Sequence, residues 1–295
     1  MSSCPFSVID HRGISQFELR ARRADAIGRI LGLCASAGAF VATWIFFTCF
    51  IIFVGNLPRR TDPWIASVDG APTLWEAPIW SSMVVNLLLI ALFGLQHSGM
   101  ARSACKAWLH RHIPPALERT IYVYAACAAG FLLVLLWQPI PIVVWNIEGD
   151  ALRTLVWAGF VSGWLMLLAA ALSIDILDLL GLKQSWTFYA RRPPAALTLR
   201  TGALYRWLEH PMYVGVLLGI WCAPHMTVGH LLLASGLTAY IAIGMVFEER
   251  DLERKFGAAY ETWKRPSLLS PLPAAAQRWW WSRSNARLWR SGLIE

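Results

Sequence analysis

"LYRWLEHPMYVGVLLGIW", residues 204–221, passes from a charged segment into an apolar run within a few residues, with His210 and Pro211 at the junction. Proline is tolerated in the first turn of a helix because its missing N–H would be unpaired there anyway, so Pro211 marks a helix start. A second apolar run, Val228–Phe247, leads into "FEERDLERKFGAAY", with Glu248 and Glu249 at its exit. A break at Ala223–Pro224 turns the chain between the two runs. At 1.5 Å per residue, an arm from Pro211 to Met226 rises about 24 Å and an arm from Val228 to Phe247 about 30 Å. The two form a hairpin that returns Glu248 to the depth of His210. Ionisable groups at the mouth of a membrane helix are costly, so they are candidates for function.

The rest of the chain supports the membrane reading. Of 295 residues 57% are hydrophobic and only 15% charged, with 17 Trp and a mean hydropathy of +0.48. Soluble domains are nearer one quarter charged. Apolar stretches of about 17–25 residues can cross a bilayer, and six runs stand out: Ile30–Phe53, Ile79–Leu95, Ile121–Trp137, Leu155–Leu180, Pro211–Ala223 and Val228–Phe247. The first begins late and is followed by no small-residue cleavage pattern, so it reads as a span and not as a signal peptide. The expected fold is an all-α integral membrane protein of about six transmembrane helices. A segment 1–29 precedes the membrane domain 30–264, and a C-terminal cytoplasmic helix leads into a Trp/Arg-rich tail, 265–295, lying at the membrane surface.

Charge sets the orientation. With six crossings, 23 of the 26 Lys and Arg fall on one side, leaving Arg59, Arg60 and Arg153 opposite. The positive-inside rule then puts both termini in the cytoplasm, with the inner (cytoplasmic) membrane as the expected location. The net charge of +8 reads as topology and attraction to membrane lipid, not as a nucleic-acid surface. Cys4, Cys34, Cys49, Cys105, Cys127 and Cys222 are scattered without C-x-x-C spacing, which suggests neither a disulfide framework nor a metal site.

Four places carry candidate chemistry. "ALFGLQHSGMAR" closes the second run with Gln96 and His97; His97 is either an interfacial histidine bonded to a loop or a general base or substrate clamp. "LSIDILDLLGLKQSW" places Asp175 and Asp178 three residues apart on one helix face, where they either pair with arginines or line a polar cavity. Gly181 then ends that helix as a C-cap, and Gln184 follows. The third place is the opening stretch, where Pro211 leaves backbone N–H groups from Met212 to Val214 to favour an anion. Gly215 there permits close approach of a ligand or a neighbouring backbone. Glu248 and Glu249 are the fourth. Acidic groups, a helix N-terminus and the aromatics Tyr205, Trp207 and Tyr213 suit a ligand carrying both a cation and a carboxylate. S-Adenosylmethionine is such a ligand. No dinucleotide or P-loop fingerprint occurs.

"LYRWLEHPMYVG" followed by "FEERDLERKFGAAYETWKR" resembles the C-terminal signature of the isoprenylcysteine carboxyl methyltransferase superfamily, Arg-His-Pro-x-Tyr-x-Gly and then Glu-Glu-x-x-Leu-x-x-x-Phe-Gly-x-x-Tyr. "FGLQHSGMARSACKAWLHRHIPPALERTIYV", "WQPIPIVVWNI" and "DLLGLKQSW" narrow the resemblance to bacterial methanethiol S-methyltransferases, which carry an NnrU-like region. The similarity runs from about Leu87 to Lys264. It implies S-adenosylmethionine as methyl donor and a small thiol, methanethiol, as acceptor. It further implies a cofactor site at Tyr205, Arg206, His210, Pro211, Tyr213, Gly215, Glu248 and Glu249. His97 is the first choice for the base, with Asp178 or Glu248 as alternatives, and Gln184 orients substrate or ribose. Glu209 departs from the superfamily's Arg before His-Pro; either Arg206, one helical turn earlier, substitutes for it or the site is tuned differently. Rival readings are a carboxyl methyltransferase acting on a lipidated cysteine, a phospholipid N-methyltransferase, and a non-catalytic NnrU-like membrane protein.

Overall fold

A computed structural model describes residues 26–57, 66–70, 78–193, 203–257 and Tyr260. The chain runs α1 (Ala26–Val54), α2 (Ile79–Met100), α3 (Ser103–His112), a 3-10 turn (Pro115–Leu117), α4 (Glu118–Leu136), β1 (Val143–Asn146) and α5 (Asp150–Ser173). It continues through α6 (Ile176–Leu179), α7 (Leu182–Tyr189), a second 3-10 turn (Ala203–Arg206), α8 (Pro211–Trp221), β2 (His225–Thr227) and α9 (Val228–Phe256). Among the described residues, α1, α2, the stretch Pro115–Leu136, α5 and α9 are long and apolar enough to cross a membrane. Their outer faces fit that solvent: Leu88, Leu95, Leu155 and Leu165 are all more than 60% exposed. Apolar exposure of this extent is lipid-facing surface, because water would penalise it. The molecule is an integral membrane protein built of helices.

Each span follows from an apolar run flanked by a stop signal, and the observed ends sharpen the expected ones. The fourth run does not extend to Leu180. Helix α5 ends at Ser173, and Asp175 takes a left-handed conformation (φ 78°) to cap α6. Asp175 and Asp178 therefore do not share a face of one long helix. Gly181, also left-handed at φ 89°, separates α6 from α7, so the turn expected there is present. The fifth run is shorter than expected. Helix α8 has 11 residues, a rise of about 16 Å, and ends at Trp221 because the chain turns into β2, which pairs antiparallel with β1. The sixth is longer: α9 continues to Phe256, so Glu248 and Glu249 sit inside a helix and not at its exit. The expected C-terminal helix and tail, and residues 1–25 of the N-terminal segment, lie outside the described residues.

Two packing features position the site. First, α8 lies against α5 along small residues. A Cβ on Gly215 would lie 2.7 Å from Gly163 O and from Leu167 N, and one on Gly163 would lie 2.6 Å from Gly219 N. Only glycine allows backbones to come this close, as in small-residue membrane seams. Second, α8 and α9 run antiparallel in a constant register: Trp221 Nε1 donates to Thr238 Oγ1 at 2.9 Å, Tyr213 meets Glu248, and His210 meets Glu249 at 3.4 Å. Phe50, Phe53, Trp137, Phe160 and Trp164 fill the centre of the bundle. Their edge-to-face contacts include Phe50–Trp164 at 6.0 Å and Phe53–Trp137 at 6.1 Å, the geometry aromatic quadrupoles prefer.

Candidate active site

Pro211 opens α8 at its first position, with His210 as the residue before it. The His210 carbonyl accepts from the N–H groups of both Tyr213 and Val214 at 3.1 Å. Those two donors are thus occupied, which removes most of the anion site expected at this terminus. Gly215 faces the α5 backbone, so it serves the helix seam and not a ligand. The side chain of Arg206, the expected substitute for the missing arginine, lies outside what the structure describes.

What the junction does assemble is acidic. Tyr213 donates its hydroxyl to Glu248 Oε2, and its ring stacks on His210 with centroids 5.4 Å apart and planes at 23°. His210 Nε2 faces Glu249 Oε1. Glu209 joins them: Glu209, His210 and Glu249 each bring one ligating atom within 4.8 Å of the others. The residue that departs from the superfamily pattern is therefore part of the group. Tyr260 is fully buried beside it; burial, followed by the charges of Glu249, Glu209, Glu248 and Glu253, holds its phenol far above the usual range. Tyr205 is pushed up to about 12, by burial first and Glu248 second. Carboxylates gathered among protonated phenols and an imidazole form a donor set that suits a cationic ligand carrying an ammonium and hydroxyls. The same oxygen and nitrogen spacing would also admit a divalent ion.

His97, on α2, belongs to a second group of rings. Phe93 stacks on it at 5.6 Å, Tyr122 of α4 lies at 5.1 Å, and Tyr240 of α9 meets it edge-on at 6.2 Å. Its Nδ1 is buried without a partner among the described residues. Tyr240 also accepts from Ser98 at 3.5 Å. Tyr240 and Glu248 both lie on α9, about two turns apart, so one helix carries a member of each group. Arg102, just after α2, lies over the Phe247 ring at 4.8 Å and holds the same helix ends together. Sequence reading missed Phe93, Tyr122 and Tyr240. A usable signal for one existed, since Phe93 and His97 are four apart and must share a helix face.

Asp178 and Gln184 bond to each other. Gln184 Nε2 donates to Asp178 Oδ1 at 3.1 Å and to its carbonyl at 3.0 Å. Asp175 pairs with Lys183 at 2.9 Å, which holds its carboxyl below the usual range. These residues tie the α6–α7 turn together, while Gln184 Oε1 is buried without a partner among the described residues. One link toward the His97 group runs through Gly181, which packs on Arg119, whose guanidinium lies 5.5 Å from the Tyr122 ring.

Fold and site together define a helical integral membrane protein with an acidic, aromatic-lined site at one end of its bundle. The NnrU protein family matches residues 85–282, and the chain belongs to that family. It is 37% identical over 248 residues to the methanethiol S-methyltransferase of Mycobacterium tuberculosis, covering 83% of this chain and 98% of that protein. The protein of the same name from Pseudomonas sp. (strain GM41(2012)) is 41% identical over 81% of this chain and 88% of its own length. Nurim of Sus scrofa is 29% identical over 70% of this chain and 81% of its own. No solved structure matches.

Proposed function

We propose that this protein is a membrane S-methyltransferase that methylates a small thiol, methanethiol, to dimethyl sulfide with S-adenosylmethionine as donor. The observation that carries the reading is the meeting of His210 and Tyr213 with Glu249 and Glu248 across the α8–α9 hairpin. Support comes from the relatives of 37% and 41% identity that bear this activity in their names. The donor supplies an activated methyl group on a cationic sulfur. In this reading Glu249, with Glu209 beside it, holds the donor's ammonium, His210 and Tyr213 frame its amino-acid end, and Tyr205 closes over it. Glu248, fixed by the Tyr213 hydroxyl, supplies negative charge on the side facing Tyr122 and Tyr240.

The acceptor needs a base, since an alkanethiol is mostly protonated at neutral pH and the thiolate is the nucleophile. His97 takes the thiol proton. The sulfur lone pair then forms a bond to the methyl carbon, and the carbon–sulfonium bond breaks with its electron pair to leave a neutral thioether. Proton removal by a positioned side chain is worth about 10²–10⁴-fold, and a ring-lined site that excludes water adds to it. Asp178 and Gln184 act on the turn that seats Arg119, and not on the substrate.

In this reading the site end of the bundle faces the cytoplasm, where 23 of 26 Lys and Arg lie, in a bacterial inner membrane. Helix α8, completed by residues 222–227, makes the sixth crossing. Headspace gas chromatography on membranes given S-adenosylmethionine and methanethiol tests the function: dimethyl sulfide is expected from the wild type and not from Glu249→Ala. No dimethyl sulfide from well-expressed wild type would remove the thiol reading and favour a lipid or protein acceptor.

A further inference from the structure

The His97 imidazole is enclosed by rings from three different helices. Phe93 lies one turn away on α2, Tyr122 comes from α4, and Tyr240 comes from α9; Phe93 and Tyr240 also touch edge-on at 5.9 Å. The enclosure is tight on the α2 side. Gly94 has Tyr240 pressed on its backbone, so a Cβ there would lie 2.9 Å from ring Cδ2. Inside it, His97 Nδ1 is buried and meets no partner among the described residues. A buried acceptor or donor left unsatisfied is expensive, so the position is one that a ligand's S–H or N–H group completes.

The rings around it are poor hosts for a charged or strongly hydrated group and good ones for sulfur. Thioether and thiol sulfur make favourable contacts at the edges of aromatic rings.

Resting on the proposed methyl transfer, we propose that Tyr240 and Tyr122, with Phe93, form the walls of the acceptor chamber and set the largest alkyl group a thiol can carry. The thiol's hydrogen points at His97 Nδ1, and its alkyl group lies against the Tyr240 ring that Gly94 admits. Proton and electron balance are those of the reaction above: His97 gains the proton, the thiol sulfur gains the methyl, and the donor sulfur keeps the bonding pair. The substrate class is a short unbranched alkanethiol, and the size limit resides in two tyrosines and one glycine outside the His-Pro and Glu-Glu motifs.

Membranes or detergent-purified full-length protein are assayed with S-adenosylmethionine and, separately, methanethiol, ethanethiol and 1-propanethiol, each methyl thioether being quantified by gas chromatography. The readout is the ratio of kcat/KM for 1-propanethiol to that for methanethiol. A single methylene in an apolar pocket is discriminated by about 10–200-fold. The wild type is expected to disfavour 1-propanethiol by at least about 10-fold, and Tyr240→Ala and Tyr122→Ala to raise the ratio by about 10-fold or more. Tyr240→Phe, which keeps the ring, should leave it within a factor of about three. Gly94→Ala, which pushes the Tyr240 ring inward, should lower it. An unchanged ratio in Tyr240→Ala and Tyr122→Ala, either one being sufficient if the other does not fold, overturns the proposal, as does a wild type that accepts all three thiols equally. A wild type that methylates no thiol instead overturns the functional reading beneath it.

Discussion

The two ends of the bundle use polar residues in opposite ways. At the end where β1 and β2 pair, Asp69 is a hub: it accepts from Asn56 Nδ2 and from Thr227 Oγ1, and its own N–H donates to Asn56 Oδ1 at 3.2 Å. Thr227 in turn caps α9 by accepting from the His230 N–H at 3.1 Å, and His230 Nε2 donates to the Ile220 carbonyl at 2.9 Å. Asn86 and the Gln138 backbone exchange two bonds at 2.7 and 2.9 Å. Most of these groups are buried and paired, as a low-dielectric interior demands of structural polar networks, although His230 Nδ1 is buried without a partner among the described residues. A cleft of about 480 Å³ does open here, lined by Asn146, Arg153, Trp157 and His225 among others, yet it holds no pairing of base and acid. At the other end, carboxylates share their space with aromatic rings and an imidazole: Tyr213 meets Glu248, and His210 meets Glu249. One end ties its polar groups to each other and to the backbone; the other gathers carboxylates among rings, and it is the end we propose as the binding site.

Substitutions at the two ends should therefore separate activity from stability. The largest effect is expected for His97→Ala and Glu249→Ala. Each should lower methyl transfer by about 10²-fold or more while leaving the thermal unfolding midpoint within a few degrees, read by gas chromatography beside a melting curve. Loss of folding in step with activity would place both residues in the frame. Next come Asp69→Ala and Thr227→Val, which leave buried partners unmet. Each should cost about 1–3 kcal/mol of stability, with turnover per folded molecule unchanged. Gly215→Ala drives a methyl group into the α5 backbone and should cost about 1–3 kcal/mol; normal stability there would mean that the seam is looser than its 2.7 Å approaches indicate.

The smallest effect belongs to Asp175→Asn. Its partner Lys183 is 40% exposed, and exposed pairs contribute about 0.2–1 kcal/mol. Because the folded carboxyl sits below its usual range, that contribution is present above about pH 3.9 and fades as pH falls through the lower folded value. A stability difference between wild type and Asp175→Asn that persists at pH 2 would break this assignment.

Much of the frame was legible because membrane helices are long apolar runs, and Ile79, Pro211 and Val228 begin their helices where the runs begin. The errors share a cause: local polarity does not report helix ends at an interface. "EERDLERKF" is polar enough to read as an exit, yet its residues are good helix formers and α9 continues through them. The run through Ile174 is apolar enough to read as one span, yet Asp175 turns the chain. The β ribbon of Val143–Asn146 and His225–Thr227 is too short to leave a periodic signal. In the site, the His-Pro and Glu-Glu elements stood out by composition, and hairpin arithmetic brought them together even though its arm lengths were wrong. Tyr122 and Tyr240 did not stand out, because a tyrosine in an apolar helix looks like core packing until tertiary structure puts it against His97.

The most direct test of one functional end is ligand-linked stability, since a ligand that binds the folded state raises its melting temperature. Thermal unfolding of purified full-length wild type, Asp69→Asn and Glu249→Gln is followed with and without saturating S-adenosylhomocysteine. The ligand is expected to raise the midpoint of the wild type and of the already less stable Asp69→Asn by similar amounts, and to leave Glu249→Gln nearly unmoved. A full shift in Glu249→Gln, together with none in Asp69→Asn, would contradict the assignment and put the binding site at the opposite end of the bundle.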